Sequence, residues 1–334
     1  MLEAQPVLDL IDAFRSSKVM FTAVSLGLFD RLEGAPATAR ELAAEKGCHP
    51  DALERLLNAC VALGLLGRAG DCFENRPLAS RYLRIASPET LTGYILYSNR
   101  LLYPLWSHLE DAVREGSPRW DQHFGGKSGV FDELFSTDES RATFIAGMHG
   151  FGLLASPAVV AVLDLGRFSH LCDVGGATGH LAIEACRKYP RLHATVFDLP
   201  GVIPHAQRYI AAAGLQDRVG VHAGDFFTDP LPEADLFALG RILHDWSEPK
   251  VEALLAKICQ RLPVGGGLLI CEKILYPLQD GPLSTNLQSL NMLVCMEGKE
   301  RTAAQYEALT ARAGFREFQA RTTGRPLDAM LAIK

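Results

Sequence analysis

The sequence lacks the cysteine patterns that stabilise small secreted proteins or bind zinc. Its 8 cysteines are scattered, with no C-x-x-C pair and no cluster of cysteine and histidine at zinc-site spacing. The N-terminus, MLEAQPVLDLIDAF, mixes acidic residues with apolar ones and has no basic segment, which excludes a secretory signal. These absences predict reduced thiols, a cytoplasmic protein and no bound metal.

An excess of positive charge is also missing. The 334 residues include 33 Lys and Arg against 39 Asp and Glu, a net charge of −6, which offers no attraction to nucleic acid or anionic lipid. No apolar run approaches the ~18 residues that crossing a membrane needs. We therefore expect neither nucleic acid nor membrane as a partner. At 334 residues the chain is long enough for two globular domains, and its 48% of hydrophobic residues is enough to form their cores.

The most informative segment runs from Ser169 to Pro200. An apolar lead-in precedes DVGGATGH, helical spacing follows, and a second strand, HATVFDLP, ends in an acidic residue. Glycines let backbone approach a ligand closely at a helix N-terminus, and an acid about 20 residues further on can reach ribose hydroxyls. The pattern predicts a site for a nucleoside-like cofactor, with candidate residues Asp173, Gly175, Gly176, Gly179 and Asp198.

The glycine loop does not fit a dinucleotide site. The G-x-G-x-x-G fingerprint needs glycine at position 174, which is Val174. An acidic residue leads the loop instead, as in the S-adenosylmethionine loop of class I methyltransferases, which it resembles, with Ala177 where glycine is commonest. Taken by itself, the loop is also compatible with a glycine turn that binds no ligand.

Strands and helices alternate through the rest of the C-terminal half. We predict further strands over 218–227, 234–243 and 268–275, and two closing strands near 316–322 and 329–333. This alternation predicts a doubly wound parallel sheet, whose ligands bind at the carboxyl ends of its strands. Asp173, Asp198, Asp225 and His244 all lie at such ends. Helices are predicted over 202–213, 252–262, 287–302 and 303–313.

The N-terminal residues 6–85 have the helix, helix, helix, wing pattern of a winged helix-turn-helix. That pattern raises the alternative of DNA binding. The helix predicted over 49–66, however, carries Arg55 as its only basic residue, with Asp51 and Glu54 beside it. We therefore favour packing or dimerisation for this module.

Residues 87–165 are helical and rich in aromatic side chains. Phe144, Met148 and Phe151 share one helical face, which would suit a flat aromatic substrate or a plain interdomain core. Gly125 and Gly126 interrupt the pattern and could form a hinge or a lid. The predicted boundaries are therefore 1–86, 87–165 and 166–334.

His244 is the candidate catalyst because it follows the fourth strand. Moving a proton from a phenol of pKa ~10 to an imidazole of pKa ~6.5 is uphill by about 5 kcal/mol, so deprotonation should accompany methyl transfer. Glu300 or Glu272 could orient the imidazole. Asp245 would point away from His244 if the backbone stays extended.

Roles can also be assigned to the acidic strand ends. Asp198 would accept both ribose hydroxyl protons, and Asp225 would accept the adenine amino group with Phe226 against the ring. For Asp225 the alternative is a cap of its own loop.

Six motifs carry a wider resemblance. DVGGATGH, VFDLP, GDFF, RILHDW, LNMLV and EGKERT occur in this order over residues 173–302. They are similar to those of the plant and animal small-molecule O-methyltransferases, and the likeness covers nearly the whole chain. It implies a Rossmann-like class I methyltransferase domain with a mostly parallel seven-stranded sheet, and an N-terminal winged-helix domain that forms a homodimer.

The resemblance also implies site residues. S-adenosylmethionine would be held at Gly175, Asp198, Asp225, Phe226 and Arg241, with Leu199 and Gly224 from the same motifs. His244 would be the general base, Glu300 its orienting partner and Glu272 a second supporting glutamate. The resemblance further implies that Asn291 and Met292 line the acceptor pocket, and we add Trp246, Phe144 and Met148 as further candidates for that pocket.

Three alternatives remain open at this point. The same fold and cofactor could methylate carbon or nitrogen, or need no base. The chain could bind the cofactor and act only by dimerisation. It could be a nicotinamide oxidoreductase, although the valine at position 174, where the dinucleotide fingerprint needs glycine, disfavours this alternative.

Overall fold

A computed structural model describes residues 3–125 and 137–334. Within these ranges the chain divides into two compact units, the first ending at Leu101 and the second beginning at Leu102. Gly126 of the expected hinge, together with Phe131 and Phe135 of the aromatic segment, lies outside the described residues.

The N-terminal unit consists of helices around a small antiparallel sheet. The sheet has the order β1-β3-β2, with β1 Ala37–Thr38, β2 Leu66–Ala69 and β3 Cys72–Asn75. The helices are Gln5–Ser25, Leu28–Gly34, Ala39–Lys46, Pro50–Ala62, Pro77–Tyr82 and Thr92–Tyr97, followed by a π-helical turn, Ser98–Leu102, that extends to the unit boundary.

Local sequence fixes the ends of these helices. Thr38 caps the helix Ala39–Lys46 in a capping box with Glu41, and Gly47 ends it in the left-handed conformation. In the helix Pro50–Ala62, proline occupies the first turn, where its missing N–H costs nothing. The apolar stripe of that helix faces the core, because Leu53, Leu57 and Cys60 are buried.

The second unit begins with short helices and then one long one. Their bounds are Tyr103–Leu105, Leu109–Glu115, Trp120–Phe124 and Asp138–Val162, with a 3₁₀ turn at Trp106–His108. The helices that follow are His180–Lys188, Ile203–Ala212, Glu248–Arg261, Leu283–Cys295 and Ala303–Ala313.

The helix Asp138–Val162 is long and apolar enough to cross a membrane by length and composition, with a mean hydropathy of 1.7. The expectation that no apolar run approaches this length is therefore wrong. The helix is partly buried, with 44% of its apolar window inside the unit: Ile145, Ala155, Val159 and Val160 are buried, and it lies against the helix His180–Lys188. A core helix satisfies the same compositional test as a membrane span.

Seven strands form the central sheet of the second unit. They are β4 His170–Val174, β5 His193–Asp198, β6 Val219–Ala223, β7 Leu236–Gly240, β8 Gly267–Cys271, β9 Glu317–Arg321 and β10 Ala329–Ile333. Their order is β6-β5-β4-β7-β8-β10-β9, and β10 pairs antiparallel with both its neighbours. The five strands β4 to β8 run parallel to one another, which confirms the predicted fold. Their helices cover a core of Val, Leu and Ile side chains.

Strand register brings the predicted site residues to one edge. Val174 is opposite Phe197 and Leu239, Asp198 is opposite Ala223, and Gly240 is opposite Cys271. The residues that follow these strands therefore share the carboxyl edge of the sheet, where ligands of such sheets bind.

Three strands are shorter than the sequence suggests. β6 ends at Ala223 rather than beyond Asp225, and β8 ends at Cys271, directly before Glu272. β7 ends at Gly240 because Arg241 adopts a left-handed φ of 58°, which a strand cannot contain. The apolar residues after Arg241 belong to a turn, although their composition is that of a strand.

The helix predicted over 287–302 is also displaced. The observed helix, Leu283–Cys295, ends before Gly298, and the EGKERT motif forms a loop. A Cβ at residue 298 would stand 2.3 Å from the carbonyl oxygen of His244. Glycine is needed here so that the loop carrying Glu300 can approach the turn carrying His244.

Candidate active site

The glycine loop after β4 depends on residues that accept left-handed backbone and close packing. Gly175, Ala177 and Gly179 have φ values of 68°, 50° and 75°. A Cβ at Gly175 would stand 2.5 Å from the Ile242 side chain, and one at Gly176 would stand 2.7 Å from the Asp173 carboxyl carbon. The N–H groups of Gly175 and Gly179 donate to the carbonyls of Phe197 and Gly176, so these two glycines provide room rather than donors.

Asp198 holds this loop from the neighbouring strand. Its Oδ2 accepts the Ala177 N–H at 2.8 Å, and its Oδ1 accepts the Leu199 N–H at 2.7 Å. Burial raises the pKa of this carboxyl to about 6, against the effect of the two N–H donors. Each oxygen keeps a lone pair for a further donor, which is what binding of two ribose hydroxyls needs.

Asp173 lies beneath the loop, with 2% of its surface exposed. Burial raises the pKa of its carboxyl to about 7, and the nearby Asp198 raises it further. Its Oδ2 has no hydrogen-bond partner within the described ranges. Such an atom is costly in an apolar interior, and a ligand donor would satisfy it.

The turn after β6 carries Gly224, Asp225 and Phe226. Asp225 caps its own turn, because its Oδ1 accepts the Phe227 N–H at 2.8 Å. The loop-cap alternative is therefore part of its role. A Cβ at Gly224 would stand 2.7 Å from the Phe197 ring, so glycine is required for the turn to pass that ring. Phe226 is half-buried, with its ring centroid 4.7 Å from that of Phe227.

Arg241 extends from the end of β7. Its left-handed backbone turns the chain, and its guanidinium lies 4.3 Å from the centroid of the Phe151 ring. This is a cation–π geometry. The helix Asp138–Val162 thus contacts the carboxyl edge of the sheet at Arg241.

His244 is buried within a cluster of carboxylates. Its Nδ1 lies 2.6 Å from Glu300 Oε1 and 3.4 Å from Glu272 Oε2, and its Nε2 lies 3.4 Å from Asp245 Oδ1. Glu272 is held in place because its Oε1 accepts the N–H groups of Ile242 and Leu243, each at 3.0 Å. Glu300 therefore makes the direct hydrogen bond to the imidazole, and Glu272 anchors the turn that carries it.

The carboxylates decide the protonation of His244. Burial lowers the pKa of the imidazole, but Glu272, Glu300 and Asp245 together outweigh it and raise the pKa to about 9. The Oε2 atoms of Glu272 and Glu300 have no hydrogen-bond partner within the described part of the chain. The two carboxylates, together with Asp245, stabilise an imidazolium at His244.

The expectation that Asp245 points away from His244 is wrong. The Asp245 N–H donates to the Ile242 carbonyl at 3.2 Å, which closes a turn. In a turn, adjacent side chains need not alternate as they do in a strand. Burial raises the pKa of the Asp245 carboxyl to about 6.

The same cluster has the composition of a metal site. Ligand atoms of His244, Glu272 and Glu300 lie within 4.8 Å of one another. The contact of 2.6 Å between Nδ1 and Oε1 is, however, a hydrogen-bond distance, and a metal ion at Nδ1 would displace that proton.

Comparison with known proteins decides the family. Residues 106–316 match the family model described as "O-methyltransferase domain", and residues 8–84 match "O-methyltransferase dimerisation domain". The chain belongs to the O-methyltransferase family. It is 41% identical to acetylserotonin O-methyltransferase of Bos taurus over 330 residues, which cover 97% of this chain and 95% of that protein.

Solved structures agree with this assignment. Human N-acetylserotonin methyltransferase in complex with SAM superposes with a TM-score of 0.94 at 38% identity, covering 100% of this chain and 98% of that one. The N,N-8-amino-8-demethyl-D-riboflavin dimethyltransferase RosA from Streptomyces davawensis superposes with a TM-score of 0.85 at 28% identity. The match covers 100% of this chain and 99% of RosA. The protein is an S-adenosylmethionine-dependent O-methyltransferase.

The strand ends of this O-methyltransferase fit its cofactor. Asp198 retains acceptor capacity, Asp173 Oδ2 has no partner, and the loop leaves no room for side chains at Gly175 and Gly176. When bound, S-adenosylmethionine supplies an electrophilic methyl group on sulfur. The residues that would hold it share the edge of the sheet to which His244 belongs.

The acceptor side of the O-methyltransferase contains one pair that sequence reasoning missed. Asn291 is buried, and its Oδ1 accepts the indole N–H of Trp106 at 2.8 Å. Met292, beside it, is also buried, while Phe144 and Met148 are half-buried on the long helix. Trp106 belongs to the aromatic-rich segment 87–165. Its partner lies 185 residues away in the sequence, and no local pattern reveals it.

Trp246 makes its ring contacts beside the turn after β6. Its centroid lies 4.9 Å from that of Phe227 in an edge-on arrangement and 6.3 Å from that of Phe226. The Lys250 ammonium lies 4.8 Å from the Trp246 centroid. These contacts connect Trp246 with the predicted adenine side, and its place in the acceptor pocket stays a prediction.

Proposed function

We propose that this O-methyltransferase methylates the hydroxyl of a small hydroxyindole-like aromatic molecule, with His244 as general base. The buried hydrogen bond between His244 and Glu300 is the observation that carries this proposal. The acceptor class is supported by the relatives in cattle and humans, whose names give acetylserotonin as their substrate.

The hydrogen bonds of His244 assign its two nitrogens. Nδ1 donates to Glu300, so Nε2 is the nitrogen that accepts a proton from the acceptor hydroxyl. The new bond joins the acceptor oxygen to the methyl carbon as the bond from that carbon to sulfur breaks. The proton moves to Nε2 in the same step, because a free phenolate would be costly at neutral pH.

The carboxylates raise the pKa of His244 to about 9, which makes its neutral form a strong base; only that form, whose share grows as the pH rises toward 9, can take the acceptor proton. Glu300, Glu272 and Asp245 stabilise the imidazolium that forms when the acceptor proton arrives. Glu300 also fixes the ring orientation through its bond to Nδ1. Proton acceptance and orientation are thus supplied by one cluster.

We assign the cofactor to the carboxyl edge of the sheet. Asp198 would bind the ribose hydroxyls, and Asp225 with Phe226 would bind the adenine. Arg241 and the glycine loop would lie at the amino-acid end. Gly224 and Leu199 shape the turns beside them, and the unpartnered Oδ2 of Asp173 supports a donor from the ligand.

We also propose that the enzyme works without a metal ion, since a metal ion at His244 Nδ1 would displace the hydrogen bond between that atom and Glu300. Dialysis against EDTA should leave the turnover rate unchanged. Loss of activity that added Zn²⁺ or Mg²⁺ restores would contradict this.

A homodimer is proposed through the N-terminal unit. Along the helix Gln5–Ser25, a set of large apolar side chains is between 50% and 78% exposed: Val7, Leu8, Leu10, Ile11 and Phe14. A second copy of this chain would bury them, and this helix overlaps the residues that match the dimerisation family. Light scattering should give a mass of about 73 kDa, twice 36.4 kDa, for the wild type.

A matched pair of variants tests the dimer surface. Leu10→Glu should shift the mass toward the monomer, whereas Val264→Glu, at a side chain that is 91% exposed elsewhere, should not. A dimer that persists unchanged in Leu10→Glu would contradict the proposal.

Methylation of nitrogen is the second candidate function. The structure of RosA, whose name describes an amino-group dimethyltransferase, superposes over the whole of this chain. A neutral amine attacks through its own lone pair and can release its proton after methylation, so it depends less on a base than a hydroxyl does. His244 and its carboxylates favour the hydroxyl acceptor.

The experiment offers the purified protein S-adenosylmethionine with paired acceptors that differ only in a hydroxyl or an amino group on the same indole or phenol. We expect methyl ethers from the hydroxyindoles and no reaction with the amines. Methylated amines as the only products would support the second candidate. An Asp198→Ala variant should lose cofactor binding in a calorimeter.

A further inference from the structure

The glycine loop is held from two sides, and only one of them belongs to the predicted cofactor contacts. Asp198 accepts the Ala177 N–H from the β5 side. Ala177 and Gly179 are both left-handed, and the fully buried Thr178 lies between them. A segment with alternating left-handed residues is strained unless its surroundings hold it.

His149 holds the loop from the opposite side. Its Nδ1 is hydrogen-bonded to Thr178 Oγ1 at 2.8 Å. Its ring is stacked on that of Tyr209, with centroids 3.8 Å apart and an angle of 28° between the planes. These two contacts fix the orientation of the His149 side chain on the helix Asp138–Val162, with its Nδ1 directed at the Thr178 hydroxyl.

His180 makes a second link immediately after the loop. Its Nδ1 is hydrogen-bonded to Ser156 Oγ at 2.8 Å, and Ser156 is buried on the same long helix. A Cβ at Gly152 would stand 2.3 Å from the His180 ring. Glycine at this helical position leaves the space that the imidazole fills.

Both imidazoles are suited to a permanent structural contact. Burial lowers the pKa of His149 to about 4, with a smaller contribution from Arg208. Burial lowers the pKa of His180 to about 3, followed by the effects of His149 and Arg241. Neither ring gains a proton near neutral pH, so the two hydrogen bonds persist there.

We propose that His149 and His180 are positioning residues for the cofactor: they fix the glycine loop to the helix Asp138–Val162 so that the loop is preorganised for S-adenosylmethionine. The inference rests on the proposed assignment of this loop to the cofactor. It makes the long helix, which also carries Phe144 and Met148, a common support for the cofactor loop and for the proposed acceptor side.

Calorimetric titration with S-adenosylhomocysteine, the product of the cofactor, tests this without turnover. His149→Phe keeps a ring on Tyr209 but cannot bond Thr178, and Thr178→Val removes the hydroxyl with little change in shape. Each should weaken binding about five- to tenfold, the effect of one lost hydrogen bond. The double variant should lose no more than either single one, because both remove the same contact.

Further variants complete the set. Ser156→Ala should weaken binding similarly through His180, and His149→Gln, which can still reach the Thr178 hydroxyl, should recover most of the affinity. His193→Phe, at an exposed histidine at the other end of β5, should bind like the wild type. In steady-state assays the KM for the cofactor should rise while kcat stays within about twofold.

Unchanged affinity in both Thr178→Val and Ser156→Ala would overturn the proposal, and these two conservative variants decide it even if His149→Phe fails to fold. If His149→Phe and Thr178→Val each lose affinity and the two losses add in the double variant, the two side chains do not act through one contact. That result would also overturn the proposal. Failure of the wild type itself to bind S-adenosylhomocysteine would instead reject the assignment of the loop.

Discussion

Gly298 packs directly against His244, so closely that a Cβ at residue 298 would stand 2.3 Å from the His244 carbonyl oxygen. This contact brings the loop that carries Glu300 to the turn that carries the base. A Gly298→Ala variant should push the two apart and lengthen the bond between His244 and Glu300. We expect kcat to fall by about tenfold or more, because small displacements of catalytic groups are costly.

Calorimetry of the same variant separates this effect from general damage. Affinity for S-adenosylhomocysteine should be retained, since the residues proposed to bind it lie on other turns. A Gly298→Ala enzyme with full kcat would show that the approach of the loop is not needed for catalysis.

Glu300→Gln should change the pH dependence of the rate. The substitution removes one of the three carboxylates that raise the pKa of His244 to about 9, so that pKa should move down. The rising limb of kcat/KM against pH should therefore shift to lower pH, and the maximum should fall about 10- to 100-fold as orientation is lost.

Glu272→Gln is the matched comparison for Glu300→Gln. A glutamine there keeps an oxygen for the N–H groups of Ile242 and Leu243, so the turn should stay in place. In Glu272→Gln the rising limb of kcat/KM should also shift to lower pH, but the maximum should fall less than in Glu300→Gln. Identical losses in both variants would show that charge, and not orientation, is the contribution of Glu300.

The stability of the free protein should fall as the pH rises from about 7 to 9. The folded-state pKa of His244, about 9, lies above the unfolded value of 6.5. Its contribution is therefore fully present below pH 6.5 and is lost as the pH rises through 9.

Urea unfolding at pH 7 and pH 9 measures this contribution. We expect the wild type to lose about 1 to 3 kcal/mol over that interval and His244→Gln to lose clearly less. Equal slopes in the two proteins would mean that His244 does not retain its proton in the folded state.

Trp106→Phe should affect the acceptor and leave the cofactor alone. The substitution removes the indole N–H that fixes Asn291 Oδ1, so the amide is free to rotate. We expect the KM for the acceptor to rise about three- to tenfold, with cofactor affinity unchanged. Equal KM values for the acceptor in Trp106→Phe and the wild type would contradict the assignment of Asn291 to the acceptor pocket.

Much of the cofactor side of the site could be predicted from local sequence. The glycine loop and Asp225 follow strands, and Asp198 ends one; the apolar patterns of these strands are visible in the sequence, so the edge of the sheet could be predicted. What local sequence could not show is the left-handed turn at Arg241, where the apolar residues 242–243 continue the pattern of a strand but do not belong to one.

The catalytic cluster depends on contacts between distant parts of the chain. His244 and Glu300 are 56 residues apart, and Glu300 reaches the imidazole only because Gly298 permits a loop where the sequence favours a helix. Asp245 was expected to point away from His244 only if the backbone stayed extended, and the backbone turns there instead. Nothing in the sequence pairs His149 with Thr178 or His180 with Ser156.

The most direct measurement compares His244→Gln with the wild type, using one hydroxyindole acceptor at saturating S-adenosylmethionine, with cofactor affinity measured in parallel by calorimetry. A general base accounts for about 10²- to 10⁴-fold in rate, so kcat/KM should fall by that factor while cofactor affinity stays the same. Methyl ether formed at the wild-type rate by a His244→Gln enzyme that binds its cofactor would contradict the assignment of His244 as the base.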